Sequence, residues 1–232
     1  MALLTRRRLL QTGMAGIIGT GIAPMMFTKG AWAQEFCNNP TGDTVTFGFN
    51  MPLTGAYADE GADQQRALTL AVEHLNGEGD GGLLPTFSSK ALTGKGVLGK
   101  KVAYVTGDDQ TKADAGRDSA RRMIERDGAI MICGASSSAV AIAEQALCQE
   151  MGVIYMAGLT HSNDTTGKDK KRYGFRHFFN AYQSGVALGP VLGNAYGKDR
   201  VAYHLTSDYT WGWTQEESMR SFSVCSVWSG AV

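Results

Sequence analysis

The chain has 232 residues, 43% of them hydrophobic, and its 22 basic and 22 acidic side chains cancel. Such a length holds one large domain or two small ones, and the apolar share is ordinary for a globular protein. Affinity for a phosphate backbone needs clustered Lys and Arg; the only basic run, Lys168-Asp169-Lys170-Lys171-Arg172, reads as a solvated loop, so no nucleic-acid partner is expected.

Residues 1–33 read as an export signal. Thr5-Arg6-Arg7-Arg8-Leu9-Leu10-Gln11 has the twin-arginine pattern, an apolar Gly-rich stretch runs from Gly13 to Phe27, and Ala31-Trp32-Ala33 is a small-x-small cleavage pattern. The stretch is too short and too rich in Gly to span a bilayer, and no second stretch is apolar enough. Cleavage would start the mature protein near Gln34, in the periplasm. It removes Arg6, Arg7, Arg8 and Lys29 and no acid, leaving 18 basic against 22 acidic residues, a net charge of −4.

Beyond the signal, short apolar runs alternate with helical patterns. Val45–Asn50 predicts a strand, and Gly61–Asn76 a helix with Leu68, Ala71, Val72 and Leu75 on one face. Gly77–Lys101 is rich in Gly, lacks periodicity and reads as a surface insertion. Val102–Thr106 is a second strand, and Ala113–Arg126 a helix with Ala113, Gly116, Ala120, Met123 and Ile124 inward. Ala129–Cys133, Ala139–Met151 and Val153–Ala157 continue as strand, helix and strand. Thr160–Tyr173 is a polar crossover and Gly174–Asn180 is extended. Ser184–Tyr196, Val201–Leu205 and Thr214–Phe222 read as helix, strand and helix. The pattern stops at Ser221–Val232, which has no charge and no helical stripe and reads as the tail of a truncated or frameshifted reading frame. The alternation predicts an α/β fold with a parallel sheet covered on both faces, binding ligands at the carboxyl ends of its strands.

Those ends carry the candidate chemistry. Cys133-Gly134-Ala135-Ser136-Ser137-Ser138 lies between a strand and a helix. One serine is expected to cap the helix. Unpaired N–H groups and the positive end of the helix dipole suit a carboxylate, and serine hydroxyls add donors without charge. Thr160 follows the next strand, Tyr57 the turn after the first strand, Asp108-Asp109 the second strand, and Asp208-Tyr209 the strand of the later unit. Two such edges would enclose a small polar molecule.

Pro52-Leu53-Thr54-Gly55-Ala56-Tyr57-Ala58, Val97-Leu98-Gly99-Lys100-Lys101-Val102, Asp108-Asp109-Gln110, Ala120-Arg121-Arg122-Met123-Ile124-Glu125 and Gly134–Ser138 follow one another as in the leucine/isoleucine/valine-binding proteins of ABC importers. The chain resembles this type I periplasmic binding protein family from about Val45 to Arg220. The resemblance implies a two-lobed fold with parallel sheets: an N-terminal lobe over 34–160, a crossover hinge over 161–180, and an incomplete second lobe over 181–220, followed by the atypical tail at 221–232. It implies a monomer that hands a branched-chain amino acid, or a related small amide or carboxylate, to importer membrane subunits. No cofactor, metal or catalysis is implied. Ser136, Ser137, Ser138 and Thr160 match the positions that hold the ligand's carboxylate. Tyr57 matches the aromatic of the first turn, and Asp208-Tyr209 the acid–aromatic pair of the second lobe. Trp211-Gly212 varies the family's pattern there, and Glu78–Gly96 is an insertion.

Other readings compete. Gly77/Gly79/Gly82 and Gly94/Gly96/Gly99 satisfy a dinucleotide-type glycine spacing without the required strand–helix context. Gly134–Ser138 resembles a nucleophile elbow with Ser138 replacing the last glycine; His204 and Asp208 downstream make an exported serine hydrolase the enzyme alternative. A ligand-sensing receptor subunit is a third reading. His74, His161 and His177 have no metal-ligand spacing. Four cysteines in an oxidising compartment invite disulfides. Cys133 and Cys148 lie at opposite ends of a helix that rises about 1.5 Å per residue, so Cys37–Cys148 is the expected pair.

Overall fold

The computed structural model describes residues 37–78, 94–197, 200–222 and 226–231. The export signal over 1–33 and most of the Gly-rich insertion lie outside the described residues. The elements run β1 (Thr44–Met51), α1 (Ala58–Asn76), β2 (Lys101–Asp108), α2 (Ala113–Glu125), β3 (Ala129–Gly134), α3 (Ser138–Met151), β4 (Ile154–Ala157), a 3-10 turn (Asn163–Thr166), β5 (Gly174–Arg176), α4 (Ala181–Tyr196), β6 (Val201–Thr206), α5 (Thr210–Phe222) and β7 (Ser226–Ala231).

The first five strands form one parallel sheet in the order β2-β1-β3-β4-β5. Alternate residues of each strand feed opposite faces. Ile132 and Tyr155 meet Ala120, Met123, Ile124, Val140 and Leu147 of α2 and α3 on one face. Val45, Phe47, Phe49, Met51 and Cys133 meet Val72 of α1 on the other. The chain leaves β1 for β2 on one side and then crosses to β3 on the other. The carboxyl ends of β1 and β3 therefore form a topological switch point, where an open α/β sheet leaves a crevice.

β6 and β7 form a separate parallel pair. β7 lies in the tail whose pattern predicts no element; its valine and tryptophan are strand formers, and the backbone pairs from Val201–Ser226 to Thr206–Ala231. α4 and α5 pack closely because Gly185 has no Cβ: one there would stand 2.7 Å from the Ser218 carbonyl oxygen. α4 opens with the Asn180–Gln183 capping box, each side chain bonded to the other's backbone N–H.

The structure corrects the expected Cys37–Cys148 pair. Both are free thiols: Cys37 is exposed, while Cys148, on the inner face of α3, is fully buried in the core. The side chain of Asn38, one residue on, bonds the carbonyls of Ile124 and Ala129, fixing this segment at the foot of β3.

Candidate functional site

The switch point is built around Asn50, near the end of β1. Its carbonyl accepts from the Ala135 N–H at 2.9 Å. Gly134 approaches so closely, at φ +150°, that a Cβ would overlap that carbonyl oxygen. Ala135 then takes φ +65°, a conformation that costs a non-glycine residue energy. These two bends turn the chain off the sheet and lift Ser136–Ser138 above its edge.

Beneath the serines lies a buried polar cluster. The Asn50 Nδ2 donates to the Gly116 carbonyl at 2.9 Å and to Glu144 Oε1 at 2.6 Å. Burial pushes the Glu144 carboxyl well above the usual range, and the charge of Asp109 adds to this; hydrogen bonds from Tyr155 and Asn50 oppose it. Burial also pushes Asp109 up to about 6, against the Thr111 N–H bond and helped by Asp108. Asp108 goes the other way. Burial raises it, but bonds from the Thr54 hydroxyl and the N–H groups of Gln110, Thr54 and Leu53 outweigh burial and hold it low. It thereby pins the turn that leads to Tyr57.

Above this floor is a cleft of about 240 Å³. Tyr57, Ser136, Ser138 and Tyr209, all expected from the sequence, line it, as do Glu60, Leu159, His161 and Trp211, which were not. Ser136 Oγ accepts from Gln64 Nε2 at 2.7 Å. Ser138 Oγ accepts from the Ser162 N–H at 3.1 Å. Ser137 occupies the N-cap of α3 but makes no side-chain capping bond, contrary to the expected serine cap. Thr160 is fully buried behind the cleft wall; its Oγ1 has no partner and its carbonyl accepts from Arg176. Asp208 stays outside and accepts from Trp213 Nε1 at 3.0 Å. Burial, followed by a hydrogen bond with Tyr57, raises the Tyr209 phenol above its ordinary value. That contact joins the turn after β1 to the turn after β6.

A seam of hydroxyls fastens α5 to the crossover. Ser162 Oγ lies 2.8 Å from Thr210 Oγ1, which donates to Asp164 at 2.9 Å. The Asn163 N–H donates to Thr214 Oγ1, and Asn163 Nδ2 to Ser218 Oγ. This seam sets where Tyr209 and Trp211 stand over the serines.

Of the residues drafted for a hydrolytic triad, Ser136 is held by Gln64 and Asp208 by Trp213, while the His204 Nδ1 is buried without a partner. Gly94, Gly96 and Gly99 sit at a tight turn bridged by Val97 and Lys100, not between a strand and a helix.

A family model for periplasmic binding proteins matches residues 44–222. The chain belongs to that family. Periplasmic binding proteins of this type are non-enzymatic solute binders, and membership implies an extracytoplasmic location. Among the described residues no helix is long and apolar enough to cross a membrane. Among curated proteins, none matches the sequence.

Solved structures share the fold. A solute-binding protein of an ABC transporter from Rhodopseudomonas palustris BisB5, in complex with 3,4-dihydroxybenzoic acid, is 22% identical at a TM-score of 0.67, covering 82% of this chain and 47% of its own. The branched-chain amino acid transporter substrate-binding protein LivJ from Streptococcus pneumoniae, in complex with isoleucine, is 18% identical at 0.64, covering 81% and 49%. Another R. palustris solute-binding protein, in complex with 4-hydroxybenzoate, is 22% identical at 0.62, covering 82% and 46%. The chain thus spans about half the length of these structures.

Proposed function

We propose that this chain forms the ligand-gripping part of an extracytoplasmic solute-binding subunit of an ABC importer, working as a monomer. The observation that carries the reading is the serine turn at the β1–β3 switch point. The N-terminus of α3 keeps N–H groups that Ser137 does not cap, and the uncharged hydroxyls of Ser136 and Ser138 face the same cleft. Such donors hold a carboxylate by hydrogen bonds alone. Thr160 supports the turn from behind, and Tyr57 and Tyr209 close over it. Glu60 supplies a negative charge on the same wall, the counter-charge for an ammonium group. A branched-chain amino acid carries both groups and is the first candidate ligand.

One observation favours a second ligand class. Tyr57, His161, Tyr209 and Trp211 give the cleft aromatic walls, which suit a flat aromatic acid. Calorimetry with leucine, isoleucine, valine, acetamide and 4-hydroxybenzoate separates the classes. Ser136→Ala is expected to weaken any carboxylate about tenfold, the worth of roughly one hydrogen bond. Glu60→Gln is expected to weaken leucine and spare 4-hydroxybenzoate. A protein that binds none of the panel, or that hydrolyses an ester at Ser136, overturns the reading. Export by the twin-arginine route belongs to the same proposal; replacing Arg6, Arg7 and Arg8 with lysine should leave the precursor in the cytoplasm on fractionation.

A further inference from the structure

Among the described residues that line the cleft, His161 is the side chain able to take up a positive charge; Glu60 faces the same space with a negative one, and Tyr57 and Tyr209 are phenols. Its ring is held firmly. Phe179 stacks on it at 4.5 Å and 21°, Phe178 leans on it at 5.0 Å, and its carbonyl accepts the first N–H of α4 from Ala181 at 2.8 Å. Its Nε2 is shielded from solvent and has no hydrogen-bond partner. The guanidinium of Arg176 on β5 grips the carbonyls on either side of it, those of Thr160 and Ser162.

We propose that His161 senses the charge of the solute: it stays neutral while the cleft holds no anion and takes up a proton when a carboxylate enters, so that anion capture is coupled to protonation. The inference rests on the carboxylate reading given above. Two effects keep the imidazole neutral beforehand. Burial disfavours its charged form first, and the nearby Arg176 adds to this. An incoming carboxylate reverses the balance, supplying opposite charge and an acceptor within a partly dry site. The stacked face of Phe179 also favours an imidazolium over an imidazole. Glu60 pulls in the same direction as the ligand, while Arg176, held by the carbonyls of Thr160 and Ser162, pulls the other way. The solute sites of an extracytoplasmic protein meet the pH of their surroundings, so the same group makes retention stronger in acid and release easier in base.

The test is calorimetry of the purified protein with 4-hydroxybenzoate and leucine, repeated in phosphate and in Tris, whose ionisation enthalpies differ. The uncharged partners 4-hydroxybenzamide and leucinamide serve as controls. A carboxylate that binds should draw up to one proton per molecule at pH 7, and its amide none. Carboxylate affinity should fall as pH rises, approaching ~10-fold per unit where uptake is complete. His161→Gln keeps a polar planar group but cannot charge; it should remove both the uptake and the pH slope while its circular dichroism and melting stay near those of the parent. Carboxylate binding without proton uptake, or an unchanged pH slope in His161→Gln, overturns the sensor and leaves the binding reading standing. Failure of the parent protein to bind either carboxylate overturns the binding reading and the sensor with it.

Discussion

The two sheets follow the same β–α–β logic yet end differently. Along β1, Val45, Phe47, Phe49 and Met51 are 0–8% exposed. Along β6, Val201, Tyr203 and Leu205 are 66–75% exposed. Parallel strands are ordinarily buried on both faces, and β1 meets that condition because α1 covers one side and α2 and α3 the other. β6 has α5 against its Ala202, His204 and Thr206 face, while among the described residues nothing buries its more apolar face. Apolar alternation in a strand therefore records where a covering layer belongs, not whether one is present.

Mutations can break or sharpen this contrast. The largest loss is expected from Gly134→Val, which forces a branched side chain into the Asn50 carbonyl at a positive φ; it should cost about 4 kcal/mol or prevent folding, read by urea denaturation. Ile132→Ala in β3 should cost about 3 kcal/mol, since the side chain is fully buried. Leu205→Ala in β6 should cost under ~0.5 kcal/mol, in keeping with its exposure. Equal losses at Ile132 and Leu205 would erase the contrast.

A pH-dependent effect lies between these. Asp109 has its folded-state value raised from 3.8 to about 6. A carboxyl raised in this way favours the folded state below its unfolded value and loses that contribution as pH climbs from about 4 through about 6. Asp109→Asn should thus gain in melting temperature relative to the parent between pH 4 and pH 7. A constant difference across that range would show that burial does not set the charge state. The smallest effect is expected on the exposed face of β6: Val201→Lys with Tyr203→Lys should move the melting temperature by less than Leu205→Ala does, because both side chains already stand in solvent.

Much of the first sheet was legible because each strand is a short apolar run between Gly or polar breaks. Element starts were less so. α1 begins at Ala58, not Gly61, because Asp59 and Glu60 form a polar first turn that favours the helix dipole but hides the apolar stripe. α5 begins at Thr210, four residues before the apolar pattern. Of the cleft lining, the serine turn, Tyr57 and Tyr209 were readable because each lies in the turn after a strand. Leu159 and His161 flank the predicted Thr160, and the fold turns Thr160 inward while presenting its neighbours. That reversal depends on Arg176, fifteen residues beyond His161, seizing the backbone from β5, which no local pattern announces. Glu60 lies one helical turn after Tyr57, a spacing that places both on one face, and was the one missed residue with a usable signal.

The Ser162–Asp164 junction with α5 has a mechanical consequence. Its partners are mostly small alcohols and amides, each bond worth on the order of 1 kcal/mol net and readily exchanged for water. A joint of that kind behaves as a bearing, not a weld. Such a joint is expected to let Tyr209 and Trp211 swing over the cleft without dismantling the core of the first sheet, and the swing should register as faster amide hydrogen exchange at Asn163 and Thr214 than at Ile132.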